Sequence, residues 1–134
     1  MKFILTTLFF ALVQLNLLSQ TPTQQSDSSQ VFTVVEEMPE FQGGNDSLKT
    51  YIEKNIQYPA KAKSEGRQGV CYAQIIVEKD GSTSNIKLIR SIPNGNDLNN
   101  EAIRVVGSLP KWKPGKQNGK FVRVSYIIPV RFKL

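Results

Sequence analysis

The C-terminal stretch Phe121-Val-Arg-Val-Ser-Tyr-Ile-Ile-Pro-Val-Arg-Phe-Lys-Leu134 decides the fold. From Val122 onward every second residue is apolar or aromatic, and the positions between them include Arg123 and Arg131. Successive side chains of a β-strand point to opposite faces, so the pattern predicts one long strand with a buried face and a wet face. Pro129 has no N–H to donate and is tolerated mainly on edge strands or at bulges. The strand is therefore predicted to form the edge of a sheet.

A hairpin is predicted before this strand. Two β-rich runs, residues 70–77 and 83–89, are separated by a segment that contains Asp80-Gly81. An Asp-Gly pair between β-rich runs is a strong hairpin signal, because glycine tolerates the positive φ that a tight turn requires.

Two helices are predicted from apolar residues that recur at helical spacing. The first has Leu48, Tyr51, Ile52 and Ile56 on one stripe, with Asn45 or Asp46 as its cap; the second has Leu98, Ala102, Val105, Val106 and Leu109, with Asp97 as its cap. Pro59 can start a further turn over residues 60–65, and residues 31–35 form a short β-prone run. Helix, hairpin, helix and strand together predict a two-layer domain of helices on a sheet.

The N-terminal residues predict export. Residues 3–18 form an apolar run of 16, which lies between a signal-peptide core of roughly 7 to 15 residues and a spanning helix of about 20. A cleaved signal peptide over residues 1–19 is favoured, with an inner-membrane anchor as the alternative. Residues 20–34 are then a leader and short linker, and the domain proper covers residues 35–134. Within residues 20–34, the polar leader is expected to give way to ordered chain near Val31.

The composition argues against catalysis. The chain contains no histidine, which removes His-based acid–base chemistry, Ser-His-Asp triads and most zinc sites. The carboxylates occupy turns, helix starts and the entry segment, where solvated or capping roles are expected, and the single cysteine, Cys71, lies in a strand-like apolar segment and is expected to be a buried thiol. We therefore predict no catalytic residues, no cofactor and no metal.

The charge favours a solvated basic surface. Without Lys2 the chain has 16 basic and 11 acidic residues, a net charge of +5, and the basic residues are spread over several segments. Nucleic acid is not expected as a partner of an exported protein, whereas attraction to acidic partners or envelope lipids stays open. Trp112 is expected to plug the core, with a binding aromatic as the alternative.

Several residues together resemble the C-terminal domain of TonB, the energy transducer of Gram-negative envelopes. They are Tyr58, Pro59, Gly69, Asp80, Gly81, Trp112, Pro114 and Gly115, in the right order and with sensible spacing. Residues 38–44, Met-Pro-Glu-Phe-Gln-Gly-Gly, are similar to the lead-in of TonB-like proteins of the Bacteroidetes type.

The resemblance implies an α+β fold, a three-stranded antiparallel sheet with two helices on one face. It also implies a periplasmic, non-enzymatic domain that contacts a peptide of an outer-membrane TonB-dependent receptor by strand addition in energy-coupled transport. An inner-membrane proton-channel complex is a further implied partner, and a stand-alone or self-associating (homodimeric) module is the alternative. The partner-binding edge would comprise Val122, Arg123, Val124, Ser125, Tyr126, Ile127 and Ile128.

Overall fold

The computed structural model describes residues 29–134. The predicted signal peptide or anchor and most of the predicted leader lie outside the described residues. Within them, no helix is long and apolar enough to cross a membrane.

The described chain forms five strands and three helices. In chain order they are β1 Val31–Phe32, α1 Gly44–Asn55, α2 Ala60–Ser64, β2 Gly69–Val77, β3 Thr83–Arg90, α3 Asn96–Gly107, β4 Gly115–Gln117 and β5 Lys120–Phe132. The α+β class is confirmed. The sheet has more strands than the expected three because β1 and β4, of two and three residues, add short pairings to β5.

The sheet is built around three antiparallel strands in the order β5-β2-β3. Strand β2 pairs with β5 without interruption from Gly69↔Phe132 to Val77↔Val124, and with β3 through the predicted Asp-Gly hairpin. Strand β1 pairs with β5 in parallel on the side opposite β2, since Val124 is the partner of both Phe32 and Val77.

The core lies on one face of this sheet. Alternate residues of β2 and β5 are buried there together with one stripe from α1 and one from α3, and the main members are Leu48, Ile52, Cys71, Ala73, Ile75, Val77, Leu98, Ala102, Val105, Val106, Ile128, Val130 and Phe132. The alternation in residues 121–134 thus predicts the buried face of β5, although Val122 and Leu134 at the ends of the pattern are not in the core. Because the described residues contain their own core, this part of the chain is expected to fold on its own.

The predicted helix caps are wrong. Helix α1 begins at Gly44 after the N-cap Gly43, whose φ is 87°, and helix α3 begins at Asn96 after Gly95; neither N-cap side chain can bond an amide, because both are glycines. Each helix starts earlier than the polar residue that was expected to cap it. Asp97, inside the first turn of α3, accepts the N–H of Leu98 and pairs with Arg67.

Candidate functional site: the open edge of the last strand

One side of β5 is open along its C-terminal part. Val122 pairs with Gly115 of β4, while Arg123 and Val124 pair with β1. Beyond Val124, among the described residues, no strand pairs with β5 on the side away from β2. We call residues 125–132 the open edge.

The predicted partner-binding residues are divided by this geometry. Val122, Arg123 and Val124 are already paired, whereas residues 125–128 belong to the open edge. The open edge also continues past the predicted segment, through Pro129 to Phe132.

Pro129 reveals which backbone groups face outward. It pairs with Tyr72 inside an unbroken ladder, and a proline fits there only if its nitrogen points away from the partner strand. In an antiparallel ladder the N–H and C=O of a residue point to the same side, and the side alternates along the strand. Ile127 and Arg131 therefore present free N–H and C=O groups outward, and Pro129 presents a C=O alone. Ser125 also presents only a C=O, because the parallel register of β1 requires its N–H to bond Phe32.

The other edge of the sheet, β3, is much less regular. Its pairing with β2 shifts register twice, between Tyr72 and Ala73 and between Gln74 and Ile76, and Asn85 has a φ of 49°. Bulges twist an edge and interrupt its row of hydrogen-bonding groups, which protects it from strand addition. Of the two edges, only that of β5 belongs to a pairing without register shifts.

A groove of about 690 Å³ runs between α1 and the open edge. Its lining residues come from both sides: Asn45, Asp46, Leu48, Lys49, Ile52 and Glu53, then Tyr126, Ile127, Ile128, Pro129, Arg131 and Lys133. We call it the edge groove.

The edge groove combines an apolar base with charged rims. The base is formed by the core residues Leu48, Ile52 and Ile128. Tyr126 closes one end, where its hydroxyl lies 3.1 Å from Oδ1 of Asn45. Such a groove can hold one extended chain whose backbone bonds the open edge and whose side chains reach the apolar base.

Arg123 holds β1 in place instead of facing a partner. Its guanidinium donates to both carboxylate oxygens of Glu78, at 2.7 and 3.1 Å, and to the carbonyl oxygen of Ser29 at 2.7 Å. The hydroxyl of Ser84 also donates to Glu78. The Arg123 guanidinium, with this hydroxyl, holds the pKa of Glu78 below its ordinary value. Glu78 thus positions Arg123, and Arg123 ties the start of the described chain to β5 through Ser29.

Tyr58 and Pro59, the first motif pair, support the C-terminal end of the sheet. The Tyr58 hydroxyl donates to the carbonyl oxygen of Arg67, and its ring packs edge-on against Phe132 at 5.7 Å between centroids. Pro59 is the N-cap of α2. The pair links the helices to the last residue of β5.

The glycines of the motif allow close approach of backbone segments. A Cβ on Gly81 would lie 2.0 Å from the carbonyl oxygen of Trp112, whose N–H donates to the Gly81 carbonyl. A Cβ on Gly115 would lie 2.8 Å from Cγ2 of Val124. The Asp80-Gly81 turn and the Trp-Lys-Pro-Gly segment therefore fit against each other. Of the other motif residues, Gly69 lies close to Ile92, and Pro114 is half-buried.

Trp112 is a core residue, as expected. It is 3% exposed and packs edge-on against Phe41 at 5.5 Å and against Tyr126 at 5.1 Å between ring centroids. Its contact with Tyr126 connects the motif to the first part of the open edge. Trp112 therefore shapes the edge from beneath.

The described residues show no reactive cluster. Within residues 29–134 no group of three or more Cys, Asp or Glu could hold a metal ion. Cys71 is fully buried, and burial raises the pKa of its thiol, which keeps it in the unreactive protonated form.

Two features of the site were not predicted from the sequence. Asn118 and Gly119 have φ of 52° and 72° and form the two-residue turn between β4 and β5. Asn-Gly is a strong signal for this kind of turn, so β4 could have been predicted. The pairing of Val31 and Phe32 with β5 has no comparable signal, because two residues show no periodicity.

The family model for the Gram-negative bacterial TonB protein C-terminal domain matches residues 54–134, which contain β2 to β5 and the open edge. This chain belongs to the TonB C-terminal family. That family is one of non-catalytic protein-interaction domains of the Gram-negative envelope, typically periplasmic, which generally interact with TonB-dependent receptors.

Solved structures agree with the family in fold. A solution structure of the TonB C-terminal domain of Helicobacter pylori is similar with a TM-score of 0.50 and 22% identity, over 66% of this chain and 90% of that one. A second solution structure of that domain is similar with a TM-score of 0.50 and 23% identity, over 65% of this chain and 77% of that one. No curated protein sequence matches.

Proposed function

We propose that this chain binds an extended segment of a TonB-dependent outer-membrane receptor by strand addition along the open edge, as part of energy-coupled transport. The observation that carries the proposal is the regular open edge of β5 beside an apolar groove, in a chain of this family. The proposed contact covers residues 125–131, a shift toward the C terminus from the segment expected from the sequence.

The backbone groups of the open edge suit reversible binding. Two outward N–H groups and four outward C=O groups would each contribute roughly 0.5–1.5 kcal/mol net. Part of this is offset by ordering the peptide, so that micromolar affinity, about −8 kcal/mol, requires added contacts with the apolar base of the groove. Backbone bonds supply affinity, and the groove supplies selectivity.

A titration of residues 29–134, labelled with ¹⁵N, with N-terminal peptides of TonB-dependent receptors tests the proposal. The amides of Ile127 and Arg131 are expected to shift most, whereas those of β3 stay in place. Shifts confined to β3, or none at millimolar peptide, would exclude the contact.

We also propose that the chain is exported to the periplasm and loses residues 1–19, with retention in the inner membrane as the alternative. The proposal is supported by the apolar run over residues 3–18 and by the usual location of the family. Cell fractionation with N-terminal sequencing distinguishes the two, since a mature protein that starts near Gln20 excludes the anchored form.

A further inference from the structure

The sheet has a second surface, which shares Ile127, Pro129 and Arg131 of β5 with the edge groove. On the face away from the core, which we call the open face, Tyr72 lies between Arg90 and Pro129, and Gln74 lies between Lys87 and Ile127. Paired residues of neighbouring strands point to the same side of a sheet, so these side chains share one surface. The helices α1 and α3 pack on the opposite face, as their buried stripes show.

The open face is positively charged. Lys87, Arg90 and Arg131 are exposed, and within residues 29–134 none of them forms an ion pair. Glu78, the acidic residue at one end of this face, is already paired with Arg123. The face therefore presents three cations that form no ion pair within residues 29–134.

Apart from Gln74, the centre of the open face carries apolar and aromatic side chains. Ile127 is 49% exposed, and Tyr72 and Ile76 of the central strand are half-buried. An apolar centre with a basic rim is complementary to a partner surface whose outer layer is negatively charged and whose underlying layer is hydrocarbon. Phospholipid head groups and the acyl region beneath them have this arrangement.

We propose that the open face docks on the surface of an anionic phospholipid bilayer. Its cations would contact lipid phosphates, while Ile127 would reach the boundary between head groups and acyl chains. A second copy of the chain is a poor occupant, because its own open face carries the same positive charge.

Co-sedimentation of residues 29–134 with vesicles tests the proposal without the apolar run. Binding is expected to phosphatidylglycerol mixed with phosphatidylcholine, and not to phosphatidylcholine alone. Since each basic side chain near an anionic surface contributes roughly fivefold in affinity, the double variant Lys87→Gln with Arg90→Gln should lose about 25-fold. The matched control, Lys61→Gln with Lys63→Gln, removes the same charge from α2 and should lose much less.

A fluorescence measurement locates the contact. Ile127→Trp should shift its emission to the blue on mixed vesicles, whereas Lys61→Trp on the helical side should not. Equal losses of vesicle affinity from both double variants, or equal emission shifts from both tryptophans, would overturn the proposal. It would also be overturned if the protein bound poly-glutamate through Lys87 and Arg90 but did not bind vesicles, because the face would then be assigned to acidic proteins. Neither β3 substitution touches the edge groove, so receptor-peptide binding by the same variants reports on the proposed function separately.

Discussion

Gly81 shows how a single residue can be fixed by its surroundings. Its φ is 86°, and a Cβ would overlap the carbonyl oxygen of Trp112. A side chain there is disfavoured twice, by backbone strain and by contact with a backbone atom that cannot rotate away.

We predict that Gly81→Ala lowers the free energy of unfolding by about 2–4 kcal/mol, because backbone strain and a steric clash add. Gly119→Ala is the matched control, since Gly119 also has a positive φ, 72°, but an alanine methyl group there would have no neighbouring atom within 4 Å. The control should lose only about 1 kcal/mol. Urea unfolding measures both, and equal losses would contradict the role of the Trp112 contact.

Asp97 links the region after α2 to the start of α3. Arg67 donates to its two carboxylate oxygens at 2.8 and 2.7 Å, and this guanidinium holds the pKa of Asp97 at about 2, below the ordinary 3.8. A carboxylate whose folded pKa is lowered stabilises the fold above its ordinary pKa and loses that contribution as the pH falls toward the folded value.

We therefore predict that wild-type stability decreases between pH 3.8 and about 2 more steeply than that of Asp97→Asn. Asp46→Asn is the control, because Asp46 is exposed and forms no ion pair within residues 29–134. Urea midpoints measured across this pH range check the prediction. If both variants keep the wild-type slope, the Arg67–Asp97 pair does not contribute to acid unfolding.

At the scale of elements, the open edge depends on which backbone groups of β5 point outward. Ile127 presents its N–H to solvent, so Ile127→Pro removes one outward donor without removing a bond to β2. We predict that this variant stays folded and binds receptor peptide about tenfold more weakly than Ile127→Ala, which keeps the donor. Calorimetric titration compares the two; equal affinities would show that the Ile127 amide does not contact the peptide.

Strand β1 limits the length of the open edge. It pairs with Arg123 and Val124. Because backbone groups alternate in direction along β5 and those of Pro129 point away from β2, those of Arg123 also point away from β2, toward β1. We predict that deleting residues 1–32 frees the N–H and C=O of Arg123 and the N–H of Ser125, and tightens the binding of a longer peptide severalfold. A peptide too short to reach Ser125 is the control and should bind equally to both proteins. Equal affinity for the longer peptide would show that β1 does not compete with it.

Long elements were predictable from the sequence, and short ones were not. Residues 121–134 alternate over enough positions to predict β5 and its core face, and Pro129 correctly indicated a strand with one open side. β1 and β4 are too short for periodicity to show. The exact open segment depends on where they end, so it could not be located within β5 from the sequence.

At the scale of the whole molecule, the edge groove results from distant parts of the chain. Its α1 wall lies in residues 45–53, just before the region matched by the family model, and its strand wall lies within that region. No local pattern predicts that these two elements face each other, because the helix orientation follows from packing Leu48 and Ile52 into the common core.

We predict that residues 29–134 are monomeric. Since α1 lies beside the open edge, a single extended chain can enter the groove. The last strand of a second copy could not enter, because the rest of that copy would collide with α1. The excess of basic residues further opposes self-association. Sedimentation velocity at several concentrations checks this, and a concentration-dependent dimer that Ile127→Pro abolishes would show that the edges pair with each other.

Pro129 has a further consequence for the solubility of the protein. Unpaired strand edges are the usual starting points for aggregation, in which copies stack through repeated backbone hydrogen bonds. A gap in the row of donors, opposite Tyr72 and between Ile127 and Arg131, weakens every layer of such a stack. One short peptide can bind around that gap, but a growing fibril would meet it in each added copy, so the same edge can stay accessible and still resist amyloid-like growth.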